Sequence, residues 1–197
     1  TAYEIVDCDW SSDVCSSDLG FMDQLLVRGL YQHRPALPFV PGAVSAGVVT
    51  EVGAEVKGIK VGDRVTASDY GGAFATERVV GAADVNVIPE GIEDLQSASG
   101  RLTFLPAYLA LFVRSKLEKG ETLVVTGATG GTGYAALMLG REVGARVIGA
   151  VGSADKAAFL RFQGFTDVVD YGAGSFKDQV NALTGGKGAD VILDVVG

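Results

Sequence analysis

Between residues 37 and 90 the hydrophobic positions come in short, Val-rich runs cut by Gly and Pro. AGVVTEVG (46–53), GDRVTA (62–67), AFATERVV (73–80) and DVNVIPEG (84–91) follow one another closely. β-branched runs bounded by turn residues predict strands, and their spacing predicts a small, partly closed β structure. The segment 98–117, ASGRLTFLPAYLALFVRSKL, predicts a helix started or interrupted near Pro106. After Gly120 the pattern changes. TLVVTGA (122–128) is a continuous apolar run, as expected of a strand buried on both faces. A Gly cluster and an apolar helix (131–143) come next, then a strand (145–151), a helix (153–164), a strand (166–171), a helix (174–183) and a strand (189–197). This β-α-β-α-β-α-β alternation predicts a parallel sheet with right-handed crossovers, and four such strands predict one half of a doubly wound sheet.

Composition narrows the function classes. The 197 residues are 48% hydrophobic with 28 Gly, enough for a sizeable core and many tight turns. Lys and Arg total 16 against 24 acidic residues, a net charge of −8, with no basic patch, so nucleic acid is not an expected partner. No apolar run reaches the length of a membrane span and no signal-peptide pattern opens the chain, so a soluble, cytoplasmic protein is expected. Two Cys do not make a disulfide framework.

The chemistry centres on GATGGTG at 127–133, set between a buried strand and a helix. In that context it matches a dinucleotide-binding turn with Ala128, Gly130 and Gly133 in the A-x-G-x-x-G register, and with Gly131 and Thr132 opening the helix. Gly130 lets the backbone approach a pyrophosphate, Gly133 permits close helix–strand packing, and the helix N-terminus offers free N–H groups. A Gly-rich turn without ligand would look the same in isolation. An NAD site places an acid at the end of the second strand, for the ribose hydroxyls. Here that strand ends Gly149-Ala150-Val151-Gly152-Ser153, and the next helix carries Lys156. A hydroxyl and an ammonium with no carboxylate suit a 2′-phosphate, so NADP(H) is the expected cofactor. The plain alternative makes Ser153 a helix cap and Lys156 a solvated side chain.

Five blocks together carry a resemblance: FMDQLLVRGLYQHRPALPFVPG (21–42), SAGVVTEVGAEVKGIKVGDRV (45–65), GAFATERVV (72–80), GATGGTG and DVILDVVG (190–197). In their order and spacing, residues 20–197 resemble the zinc-free, quinone oxidoreductase-like branch of the medium-chain dehydrogenase/reductase superfamily. The resemblance implies an α/β fold: a GroES-like catalytic β domain over 20–113, truncated at its N-terminal end, followed by a Rossmann doubly wound parallel sheet over 114–197, truncated at its C-terminal end. It implies hydride transfer from NADPH to a quinone or activated alkene, with a homodimer as the full-length form. Alternatives on the same scaffold are an enoyl-thioester or 2-alkenal reductase and a non-catalytic nucleotide-binding relative. It also places Tyr31 near the active cleft as the catalytic candidate and Tyr171 beside the adenosine 2′-phosphate; plain packing roles are the competing readings.

Zinc-dependent relatives carry Gly-His-Glu where this chain has Gly42-Ala43-Val44, and the only His, His33, lies in the sequence QHRP. Ala and Val cannot ligate zinc, so no metal site is expected. Two departures from the branch stand out: Gly20 where an Asn is usual, and Pro106 where a Thr is common.

The stretch CDWSSDVCSSDL (8–19) holds the only Trp (Trp10) and both Cys (Cys8 and Cys15), yet it has no strand alternation and is far more polar than the chain after Gly20. Back-translated, it matches a common short-read sequencing adapter. Residues 8–19 are therefore expected to be translated adapter within a non-native leader over 1–19, with the origin of residues 1–7 left open. The authentic chain is joined at about Gly20, so neither the Trp nor the two Cys form a site. A genuine disordered extension is the alternative.

Overall fold

A computed structural model describes residues 20–197 and, for their backbone pairing, Tyr3–Asp7. It divides into two compact units, one ending at Arg101 and one running Leu102–Gly197.

The first unit is an antiparallel sheet of β1 (Tyr3–Asp7), β2 (Val44–Val52), β3 (Arg64–Ser68), β4 (Glu77–Gly81) and β5 (Val85–Val87), in the order β4-β1-β2-β3-β5. Val49, Val65, Ala67, Val80 and Val85 form its core. β4 alternates exposed and buried positions as the period of two requires, whereas Val65, Thr66 and Ala67 of β3 are all buried, Thr66 against Ser97 of the following helix. Tyr3–Asp7 is the strand that joins β2 to β4, pairing antiparallel with both. The rest of the expected leader, residues 1–2 and 8–19, lies outside the described residues. Within the expected strand 73–80, only Glu77 onward pairs, because Ala73 and Phe74 turn back to bond Gly42 and Pro41. A helix the hydrophobic pattern did not announce, α1 (Phe21–Val27), precedes the sheet's second strand.

Helix α2 (Asp94–Tyr108) is bonded to β3 by three side-chain pairs: Arg64–Asp94, Thr66–Ser97 and Ser68–Arg101. Residues 64, 66 and 68 share one face of the strand, and 94, 97 and 101 share one face of the helix, so two different periods meet in register. Ala98 packs with Ala46 and Ile88 on the same side. Further along, Ala107, Leu111 and Leu117 belong to the core of the second unit. The division therefore falls inside α2, earlier than the expected 113/114. Pro106 sits within the helix without ending it. Its missing N–H breaks the i→i−4 ladder, and the chain continues as a π-helical turn, Leu109–Arg114, whose end is marked by Ser115 N–H donating to Ala110.

The second unit is a parallel sheet of β6 (Thr122–Val125), β7 (Arg146–Val151), β8 (Val168–Asp170) and β9 (Val191–Leu193), in the order β8-β7-β6-β9. All three pairings are parallel. Helices α3 (Gly131–Val143), α4 (Ala154–Phe162) and α5 (Phe176–Thr184) make the crossovers. The expected alternation holds throughout, and the order third-second-first-fourth is that of one doubly wound half. Leu123, Val125, Ala136, Leu137 and Leu160 fill one face of the sheet; Val124, Ile148, Val169 and Val180 fill the other. β6 is shorter than the apolar run predicted, because Gly127 turns the chain at φ 56°. No described helix is long and apolar enough to cross a membrane.

Candidate functional site

The glycine cluster lies where the pattern put it, between β6 and α3. Gly130 is the N-cap, in extended conformation, and no side chain caps the helix. The first-turn N–H groups of Gly131, Thr132 and Gly133 thus have neither an intrahelical partner nor a side-chain cap, and the helix dipole adds positive charge there. The five candidates do different jobs. A Cβ on Gly133 would lie 2.4 Å from the Gly127 carbonyl oxygen and 3.1 Å from the Ala128 Cα, so this glycine seats α3 on the turn. A Cβ on Gly131 would lie 2.6 Å from Cγ2 of Thr103, so it too serves packing. A Cβ on Gly130 would meet only the Gly127 oxygen, at 3.3 Å, leaving the approach to the helix end open. Ala128 is fully buried in the core, with its N–H donating to Ala150, and Thr132 is half-buried. The cradle fits a pyrophosphate: it is a helix N-terminus of free donors with bare backbone in front of it.

The sheet order reverses between β6 and β9, and doubly wound sheets bind ligands at the carboxyl ends of strands at such a point. Thr126 and Asp194 meet there. The Thr126 hydroxyl donates to Oδ1 of Asp194 at 2.5 Å, and the same carboxyl oxygen accepts the Val196 N–H at 3.0 Å. The Thr126 hydroxyl, with the Val196 and Gly197 N–H groups, holds the Asp194 carboxyl below the usual carboxylate range. These bonds turn the chain away after Leu193, so β9 is shorter than predicted. Gly127 is the reason the turn fits, since a Cβ there would lie 2.9 Å from Cγ2 of both Val195 and Val196. Hydropathy does not reveal this pair, because a Thr and an Asp 68 residues apart look like ordinary strand-end residues.

The end of β7 holds the remaining candidates. Ser153 is the N-cap of α4, yet its hydroxyl makes no capping hydrogen bond. Lys156 is exposed and makes no ion pair among the described residues. Tyr171 follows β8, its N–H donating to Val151 at 2.9 Å, and its ring lies against Gly152: a Cβ on Gly152 would be 2.9 Å from Cε2 of Tyr171. Gly172 approaches just as closely, since its Cβ would lie 2.6 Å from the Gly152 oxygen. The structure thus brings Gly152 and Tyr171 into contact at the ends of two adjacent strands, with Ser153 capping the helix that carries Lys156. Gly152 and Gly172 as contact positions escape a reading based on the cluster at 127–133 alone.

The first unit carries Tyr31. Its half-buried ring lies 6.3 Å from that of Tyr70, on which the exposed His33 stacks at 4.5 Å. Ala43 and Val44 are fully buried aliphatic residues, and among the described residues no three His, Cys, Asp or Glu side chains group to hold a metal ion. Asp23, which the motif reading did not single out, is 1% exposed. Its Oδ2 accepts the Gly20 N–H at 3.1 Å, and among the described residues its Oδ1 has no hydrogen-bond partner. Burial raises its carboxyl above the ordinary value, against the opposing pull of the Gly20 and Ala43 N–H groups.

Residues 8–90 match the alcohol dehydrogenase GroES-like domain, and residues 131–197 match the zinc-binding dehydrogenase domain. Quinone oxidoreductase-like protein 2 of Rattus norvegicus is 37% identical over 186 residues, which are 94% of this chain and 53% of that protein. Thus the chain spans about half the length of the curated relatives it matches. A probable oxidoreductase from Mycobacterium abscessus superposes with a TM-score of 0.88 at 32% identity, covering 99% of this chain and 60% of that one. The Escherichia coli quinone oxidoreductase, solved in complex with NADPH, gives 0.84 at 30% identity over 100% of this chain and 58% of that one. With a GroES-like unit followed by a Rossmann-like parallel sheet, and with these relatives matched along nearly its whole length, the chain belongs to the medium-chain dehydrogenase/reductase family and is quinone oxidoreductase-like.

Proposed function

We propose that this protein is an NADPH-dependent, zinc-independent reductase that delivers a hydride to a quinone or another activated alkene. The observation that carries the reading is the end of β7, where Tyr171 packs on Gly152, no ribose-binding acid follows, and Ser153 opens the helix that carries Lys156. Gly130 and the first-turn N–H groups of α3 hold the pyrophosphate; Ser153, Lys156 and Tyr171 surround the 2′-phosphate. The nicotinamide supplies a hydride when bound, and a proton from solvent completes the two-electron reduction of the acceptor. The chain's own contribution is placement and exclusion of water rather than strong acid–base chemistry. Tyr31 belongs to the acceptor side in this reading. The buried Ala43 and Val44, standing where zinc-dependent relatives have ligands, support zinc independence. The acceptor class follows from the quinone oxidoreductase relatives, and action in the cytoplasm as a homodimer completes the proposal.

The test compares kcat/KM for NADPH and NADH over a panel of quinones and enones, alongside metal analysis. A charge-assisted hydrogen bond contributes roughly 1.5–3 kcal/mol, so Lys156→Ala should weaken NADPH about 10–150-fold and leave NADH nearly unchanged. Preference for NADH, an unchanged ratio in Lys156→Ala, or one zinc per chain would each overturn the corresponding part. Nucleotide binding without turnover of any acceptor would favour a non-catalytic relative instead.

A further inference from the structure

Among the described residues β8 is an edge strand, paired only with β7, and an edge leaves backbone donors and acceptors to be satisfied elsewhere. At Asp170 the partner is a side chain. Oε1 of Gln179, on α5, accepts the Asp170 N–H at 3.0 Å, and its Nε2 donates to the Asp170 carbonyl at 2.7 Å. The primary amide thus acts as a surrogate peptide, and two bonds to one residue fix its rotation as a single bond would not. The next three residues are held as tightly. The Tyr171 N–H donates to Val151 at 2.9 Å, the Gly172 N–H to Oδ1 of Asp170 at 2.9 Å, and the Ala173 N–H to the Asp170 carbonyl at 3.1 Å. Tyr171 therefore leaves an anchored backbone, and its ring comes to rest on Gly152 although the side chain is 41% exposed. A half-exposed tyrosine ordinarily samples several rotamers; here the direction from which it starts is set by Gln179.

We propose that Gln179 is a positioning residue for the adenosine end of the cofactor site, acting through Tyr171. The proposal rests on the dinucleotide reading above. Gln179 hydrogen-bonds the peptide that precedes Tyr171, and the consequence is a tyrosine pre-set against the nucleotide.

The experiment titrates NADPH and NADH by nicotinamide fluorescence into the whole chain, as wild type, Gln179→Met, Tyr171→Ala and the double variant, with thermal melts as a measure of folding. Met keeps the length of Gln and removes both hydrogen bonds. Gln179→Met should weaken NADPH by no more than the factor that Tyr171→Ala itself costs, and should shift the NADPH-to-NADH affinity ratio. In the Tyr171→Ala background it should have no further effect. A merely structural Gln179 would lower the melting temperature while leaving that ratio unmoved. Equal weakening by Gln179→Met with and without Tyr171 would overturn the proposal. If the wild type binds NADH more tightly, the NADP assignment fails, and non-additivity read on NADH still supports the positioning role. Binding of neither nucleotide would overturn both.

Discussion

Gly152 and Tyr171 occupy each other's space: a Cβ on Gly152 would lie 2.9 Å from Cε2 and 3.3 Å from both Cζ and Oη of the tyrosine. The usual position for an NAD-selecting acid is therefore closed by a ring, as well as lacking a carboxylate. Gly152→Asp alone should displace Tyr171, weakening NADPH about tenfold or more without gaining NADH. Gly152→Asp with Tyr171→Ser should gain NADH affinity over the single variant. Fluorescence titration of both nucleotides checks this, and a gain of NADH binding in the single variant would refute the steric coupling.

Gly130 and Gly133 should fail in different ways when replaced by Ala. Gly133→Ala drives a methyl into the Gly127 carbonyl, backbone that cannot swing aside, and overpacking of this kind costs about 1–3 kcal/mol or more. Gly130→Ala meets only one oxygen, at 3.3 Å, so the chain should fold while the new methyl blocks the pyrophosphate. Thermal melts and NADPH titration separate the two outcomes. A folded Gly130→Ala that binds NADPH normally would move the phosphate site elsewhere.

Asp23 predicts a pH dependence of known sign. Its carboxyl is raised by burial, so between the ordinary carboxylate value and the raised one the native state binds more protons than the unfolded chain. Stability contributed by this group is complete at low pH and falls as pH rises through that window. Asp23→Asn keeps an oxygen for the Gly20 N–H and removes the buried charge. Its melting temperature relative to wild type should rise from pH 4 to pH 7; a constant difference would show that Asp23 is not penalised in the fold.

Thr66 and Ser97 form the middle rung between β3 and α2. The Arg64–Asp94 rung is exposed on both sides, with side-chain exposures of 41% and 42%, whereas Thr66 is 4% exposed. Thr66→Val should cost about 1 kcal/mol, and Ser97→Ala in that background should cost nothing more. Arg64→Ala should cost less than about 1 kcal/mol, since exposed ion pairs contribute little. Denaturant unfolding of these three variants and of Ser97→Ala alone gives the comparison, and additive Thr66 and Ser97 effects would show that the two hydroxyls do not act as a pair.

Periodicity alone determined the alternation of strands and helices after Gly120, because strands buried on both faces and helices with one apolar face carry unmistakable patterns. The glycines at 130 and 133 were legible for the same local reason: a turn between strand and helix needs them. The missing acid after β7 was legible as well, since an absence at a defined strand end needs no third dimension to be seen. Tertiary structure decided the rest. Tyr3–Asp7 is a strand because β2 and β4 both need a partner, and no local signal in five residues states that. Gly131 and Gly133 share a motif, yet only packing against Thr103 and the Gly127 carbonyl shows what each excludes. Thr126 with Asp194, and Asp170 with Gln179, are pairings between elements, set when the sheet order brings strand ends and helices together. Hydrophobic pattern encodes which face of an element is buried; it does not encode which polar atom of another element will be found there.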